Sequence, residues 1–353
     1  MGVLETVKNM ATQAYDAVTQ KYKDVSTPRI RMCMMGPRQV GKTSILTSIF
    51  KNAGDAVLGS KVVLTADSRT MLQLDTRYNE LLDMFHSKTI DNRPGIGIAA
   101  SDQEQVFNFN IRINNTSIGL EIKDYPGEWL ADNHDTVNSF LKESDAVFIA
   151  IDTPHLMEEN SRFNEAKNRT SAVVEFFRNN YSVDMGHKLV MLVPLKCEKY
   201  FFEGRIDAVS AKVAERYEEL LRYLNTEFKA NVACVIAPVL TVGGVVFHEF
   251  DTDQAGNIPV LMSGVPKRPV YRFRTGYAMY HPQFCDQPLY YLISFIARQY
   301  SANRIKKNLW GRFTSLFNLF SNDPSLLLEV KKLGSARMEN KNGYRIESGK
   351  YLV

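Results

Sequence analysis

Eight consecutive residues carry the most chemistry in this chain: Gly36-Pro37-Arg38-Gln39-Val40-Gly41-Lys42-Thr43, with the spacing G-x-x-x-x-G-K-T. A nucleoside triphosphate tail is a dense row of negative oxygens. Backbone N–H groups at a helix N-terminus offer it donors and the positive end of a dipole. Glycines at both ends let the backbone wrap closely around phosphate. The candidate nucleotide-binding residues are therefore Gly36, Arg38, Gln39, Val40, Gly41, Lys42, Thr43 and the next residue, Ser44. Lys42 is placed to set its ammonium between the β- and γ-phosphates, and Thr43 to give its hydroxyl to Mg²⁺. From average residue usage, the spacing arises by chance on the order of once per hundred chains of this size. An apolar run before it (RIRMCMM) and a helical pattern after it (TSILTSIF) supply the strand–loop–helix context that makes chance rarer still.

A second constellation lies downstream, in Asp124-Tyr125-Pro126-Gly127-Glu128. A carboxylate at a strand tip can hold the shell of Mg²⁺, usually through water. A glycine three residues on can offer its N–H to the γ-phosphate. Alone, D-x-P-G is equally an ordinary turn. Two strands after a phosphate loop, it reads as part of the same site.

Together GPRQVGKT, DYPGE and their order resemble the TRAFAC GTPases, the clade of Ras-like and translation-factor G proteins, over about residues 29–300. Within the clade the similarity is greatest to the bacterial double-GTPase or conflict-system type. The resemblance implies GTP and GDP as ligands, Mg²⁺ as cofactor, and Gly127 as a γ-phosphate contact. Three departures qualify it. The guanine-reading N-K-x-D is replaced by Leu195-Lys196-Cys197-Glu198. There Lys196 can lie along a purine ring and Glu198 can accept from N1 and N2 of guanine, but Leu195 cannot do the asparagine's bonding. The switch I threonine has no clear counterpart: Ser101 is the nearest hydroxyl and a candidate Mg²⁺ ligand beside Thr43 and Asp124, Thr89 is a rival, and neither is a third reading. Glu128 stands where Ras-like proteins carry a water-positioning glutamine. It can orient water, act as a weak base, or slow hydrolysis by its charge. Lys42, Asp124 and Glu128 form the candidate catalytic set, with slow intrinsic turnover expected when no arginine finger is supplied. Arg38 is a further stabiliser in cis or simply a solvated arginine. Gly243, in Thr241-Val242-Gly243-Gly244, lies where the fifth G motif belongs, to touch the base or only to make a turn.

The elements that must position these residues follow a wound α/β alternation. The fold class expected is a Ras-like P-loop G domain: a central, mostly parallel sheet with helices on both faces. The runs DAVFIAI and KLVMLVPL are short, apolar and branched, as buried parallel strands are. The G domain is expected over 29–301. It carries a helical insertion at 55–95, with apolar residues at Met71, Leu74, Tyr78, Leu81 and Phe85, and a β-rich insertion at 243–282. An amphipathic helix is expected over 1–28. A tail at 302–353 is expected to hold an apolar stripe from Leu309 to Phe320 and a loose end from about Ser335. That stripe can pack on its own domain, bind a partner helix, or lie on an anionic membrane.

Composition bounds the rest. The 353 residues are 44% hydrophobic and 23% charged, enough to bury a large core, and the mean hydropathy is −0.23. A net charge of +4 is too small for a nucleic-acid footprint. The four cysteines lack metal-ligand spacing and read as reduced thiols, so a cytoplasmic setting is expected. The opening MGVLET fits a loose myristoylation pattern through Gly2 and Thr6. Beyond the guanine nucleotide, the expected partner is a protein effector or activator, with peripheral membrane contact not favoured. The competing functions are a scaffold that holds nucleotide with little or no turnover, and an ATP-using P-loop enzyme.

Overall fold

The structure is a computed structural model, which describes residues 29–53, 62–90, 104–113, 116–125, 129, 135–276, 278–301 and 324–353. In chain order the elements are β1 (Arg29–Met35), α1 (Lys42–Ala53), β2 (Val62–Ala66), α2 (Ser68–Ser87), β3 (Gln105–Ile113), β4 (Thr116–Asp124), α3 (Asp135–Glu143), β5 (Ala146–Asp152), α4 (Thr170–Asn180), β6 (Lys188–Leu195), α5 (Glu198–Phe202), α6 (Ile206–Arg216), α7 (Glu218–Glu227), β7 (Val232–Ile236), β8 (Val245–Phe250), β9 (Pro269–Phe273), α8 (Gln287–Ser301), α9 (Pro324–Ser335) and β10 (Arg345–Ser348). Short helical turns at Thr153–Met157 and Asn164–Asn168 link β5 to α4.

Among the described residues one eight-stranded sheet runs in the order β10-β7-β6-β5-β1-β4-β3-β2. The five strands from β7 to β4 are parallel. Every residue of β5 and β6 is buried, because helices cover both faces and leave no solvated side to favour alternation. In β1 the pleat sends Met32 and Met34 to one face, with Leu46 of α1 and Leu292 and Phe295 of α8. Cys33 and Met35 go to the other, with Val174 and Phe177 of α4 and Leu220 of α7.

The half-polar strand at Gln105–Ile113 behaves as its alternation predicts. Phe107, Phe109 and Ile111 are buried, and β3 pairs antiparallel with β4. The 55–95 insertion holds the expected helix, α2, capped by the Asp67 carboxylate accepting from the Thr70 N–H at 2.7 Å. Its inner face is Leu74, Leu81 and Phe85, whereas Met71 of the expected stripe is exposed. The insertion also contains β2, which extends the sheet by pairing antiparallel with β3. The β-rich insertion is a two-stranded sheet, β8 with β9, closed over Phe163 by Phe247 and Phe250.

The expectation of a loose end from Ser335 is corrected. Residues 345–348 pair antiparallel with β7 and complete the sheet, while Tyr344, Leu352 and Val353 are buried. The segment is polar because only alternate residues face the core, and such a short edge strand has too few apolar positions to stand out by pattern. The N-terminal helix expected at 1–28 and the stripe at 309–320 lie outside the described residues. Among the described residues no helix is long and apolar enough to cross a membrane.

Candidate nucleotide site

The parallel strands deliver the candidate residues to one edge of the sheet. The loop 36–41 follows β1, Asp124 ends β4, Asp152 ends β5, Lys196 follows β6, and Thr241 follows β7. In open α/β sheets the crevice outside the carboxyl ends of the strands is where ligands bind.

The loop is held tightly against the sheet. Gly36 has φ +148, and a Cβ there would come within 2.6 Å of the Ala150 carbonyl oxygen on β5, so glycine is required on both counts. Val40 is buried and anchors the loop, while Arg38 and Gln39 are exposed at its tip. The Arg38 carbonyl accepts from Lys167 Nζ at 2.9 Å. Intrahelical bonding begins with the Ile45 N–H donating to the Gly41 carbonyl at 3.0 Å. The preceding N–H groups, including that of Ser44, thus have no partner within the helix.

Lys42 joins the two sequence motifs. Its Nζ donates to the Gly36 carbonyl at 2.8 Å and lies 3.3 Å from Asp124 Oδ1, with both side chains only 10% exposed. That oxygen makes no hydrogen bond, only this ion pair. Burial pushes the Asp124 carboxyl above its usual range, against the opposing pull of Lys42. A buried carboxylate at a strand tip, paired only with Lys42, and the hydroxyl of Thr43, the residue after that lysine, are hard-oxygen donors of the kind that suit Mg²⁺. Among the described residues no group of three or more His, Cys, Asp or Glu side chains could hold a metal by itself.

At the other end of the crevice, Lys196 adopts a left-handed φ of 59° and donates from Nζ to Asp152 Oδ2 at 2.8 Å. His155 Nδ1 lies 2.6 Å from Asp152 Oδ1, so the ring donates from that nitrogen to the carboxylate. Burial pushes the Asp152 carboxyl up, but Lys196 and His155 outweigh it and hold it well below the ordinary range. Leu195 is fully buried in the core. Glu198 is also buried, and its Oε1 accepts from the N–H groups of Val242 at 3.0 Å and Gly243 at 3.3 Å. The LKCE and TVGG segments therefore meet. A Cβ on Gly243, whose φ is +74, would fall 2.0 Å from the His281 carbonyl oxygen, so the turn itself demands glycine there.

A family model described as Double-GTPase 2 matches residues 31–240, from β1 through the loop after β7. The chain belongs to the Double-GTPase 2 family. No curated protein matches it. The GTPase-like domain of Ski7 from S. cerevisiae, solved with GDP and inorganic phosphate, is similar over 70% of this chain and 49% of that chain, with 14% identity and a TM-score of 0.37. This chain spans about half the length of that one.

In this Double-GTPase 2 member the structure brings together Gly36, Lys42, Thr43, Ser44 and Asp124 at one end and Lys196, Glu198 and Gly243 at the other. Ser101, Gly127 and Glu128 lie outside the described residues. Thr89 is exposed just past α2 and spends its hydroxyl on the Ser87 carbonyl at 3.1 Å. Two residues escaped the sequence reading. Asp152 left a trace as the one acid at the end of an all-apolar strand. Arg77, on α2, left none. Its Nε and Nη2 donate to the Ser44 hydroxyl at 3.2 and 2.9 Å.

Proposed function

We propose that this protein is a Mg²⁺-dependent GTP switch that hydrolyses GTP slowly and passes its state to a protein partner. The observation that carries this reading is the contact of Lys42 with both Gly36 and Asp124, which unites the phosphate loop with the D-x-x-G motif in one buried ion pair. In the nucleotide complex Lys42 turns from these oxygens to the β- and γ-phosphates. Thr43 and Asp124 would hold a Mg²⁺ ion, which when bound would supply charge neutralisation at the phosphates. By resemblance to the clade, Gly127 is assigned to the γ-phosphate, Glu128 to the attacking water and Ser101 to the cation in the triphosphate state. At the base, Glu198, whose Oε1 is held by the N–H groups of Val242 and Gly243, is the assigned acceptor for guanine N1–H. A fixed acceptor for N1–H rejects adenine.

Single-turnover phosphate release with saturating GTP and Mg²⁺ tests the turnover. The expected rate constant is on the order of 10⁻⁴ to 10⁻² s⁻¹, the range of unassisted and cis-arginine G proteins. Asp124→Ala should lower it by at least tenfold. Tight GTP binding with no release over many hours contradicts the switch and leaves a nucleotide-holding scaffold.

A further inference from the structure

Arg77 is a half-buried arginine beside a phosphate loop, and neither sequence motif contains it. It projects from α2, inside the insertion between α1 and β3. Its side chain is 13% exposed and forks onto the Ser44 hydroxyl through Nε and Nη2. Its Nη1 reaches Glu80 at 3.2 Å, a residue whose own side chain is 47% exposed. Ser44 is itself buried. The other titratable group facing the guanidinium is the Tyr280 phenol. A half-buried arginine with one half-solvated carboxylate as its charged partner is under-compensated, and burial pulls it down to about 10 despite Glu80.

The helix α2 that carries Arg77 is fixed in place. Lys51 of α1 pairs with Asp75 at 2.5 Å and lies over the Tyr78 ring. Tyr78 and Phe85 pack edge-on against Tyr280, whose hydroxyl lies 2.7 Å from Ser48 Oγ, one turn beyond Ser44. Position along the loop indicates which phosphate is near. Lys42 reaches the β- and γ-phosphates while the loop's backbone N–H groups cradle the α- and β-phosphates, and the Ser44 end of the loop is the part assigned to the α-phosphate.

We propose that Arg77 is a second cationic ligand of the nucleotide, donating from the insertion helix to the α-phosphate of GDP and GTP alike. This rests on the guanine-nucleotide reading of the site. The bound anion supplies the compensation that Glu80 alone does not. Because the α-phosphate is common to substrate and product, Arg77 sets affinity and not the chemical step, unlike an arginine that meets the γ-phosphate in the transition state.

The test is calorimetric titration of the full chain with GDP and with GTP in Mg²⁺, alongside single-turnover phosphate release at saturating GTP. It uses wild type, Arg77→Ala and Arg77→Gln. Glutamine keeps one amide donor within reach of Ser44 while removing the charge and the second donor, so it serves if the alanine variant does not fold. The expected result is a loss of about ten- to a hundredfold in affinity, by the same factor for GDP and GTP, with the saturated rate unchanged. Unchanged GDP affinity with a slower rate would make Arg77 a transition-state residue and overturn the proposal. Unchanged affinity for both nucleotides would leave Arg77 a packing residue. Wild type that binds neither nucleotide would overturn the function proposed for the site, and the arginine's role with it.

Discussion

At the scale of single residues, the site is a set of buried charges, each held by a partner from a distant part of the chain. Lys42 and Asp124 are 82 positions apart, Asp152 and Lys196 are 44 apart, and Arg77 and Ser44 are 33 apart. Burying such groups is costly, so breaking one pair leaves an uncompensated charge. Asp152→Asn should destabilise the fold by about 3 kcal/mol in urea unfolding at neutral pH, since Lys196 and His155 both lose their carboxylate. The pH dependence has a defined sign. The folded-state value of Asp152 lies well below 3.8, so its stabilisation is complete above the ordinary carboxylate range and is lost as pH falls through and below it. The variant's stability curve should therefore run nearer the wild type's at acid pH than at neutral pH, and a constant gap would contradict the assignment. The phosphate loop and Asp124 were legible in the sequence because their chemistry needs fixed local spacing. Asp152 and Arg77 were not, because an isolated acid or arginine acquires its role only through a tertiary contact.

At the scale of elements, the two insertions differ from the parallel strands in how far pattern reveals them. The buried runs of β5 and β6 are plain in the sequence, and so is the alternation of β3. The helix α2 was legible from its apolar stripe, although Met71 turned out exposed. The strand β2 was not, since five residues at a sheet edge carry little periodicity. What unites the insertions is aromatic: Phe85 of α2 lies 5.4 Å from Phe273 of β9 and 6.1 Å from Tyr280. Phe85→Ala should cost about 3 kcal/mol. It should also speed hydrogen exchange along Ser68–Ser87 more than in β5 or β6, because α2 loses its clamp to the second insertion. Exchange that rises equally everywhere would show that the clamp is not a local unit.

At the scale of the whole molecule, the described residues form an eight-stranded sheet whose carboxyl edge gathers the phosphate loop, Asp124, Lys196 and Glu198. Its far edge is closed by β10, from a segment that reads as a loose polar tail. Tyr344 just before it is fully buried, stacks on Tyr291 with ring centroids 6.3 Å apart, and donates to the Pro238 carbonyl at 2.6 Å. Tyr344→Ala should therefore lower stability by about 4 kcal/mol, measured by denaturant unfolding, a cost no loose tail could show. The central claim is that this sheet edge is a guanine-nucleotide site built around Lys42. Isothermal calorimetry with GTP, GDP and ATP in Mg²⁺, on wild type and Lys42→Ala, tests it most directly. Wild type should bind both guanine nucleotides at least a hundredfold more tightly than ATP, and the variant should lose GTP binding by a comparable factor. Equal or tighter binding of ATP, or a Lys42→Ala variant that binds GTP as well as wild type, would contradict it.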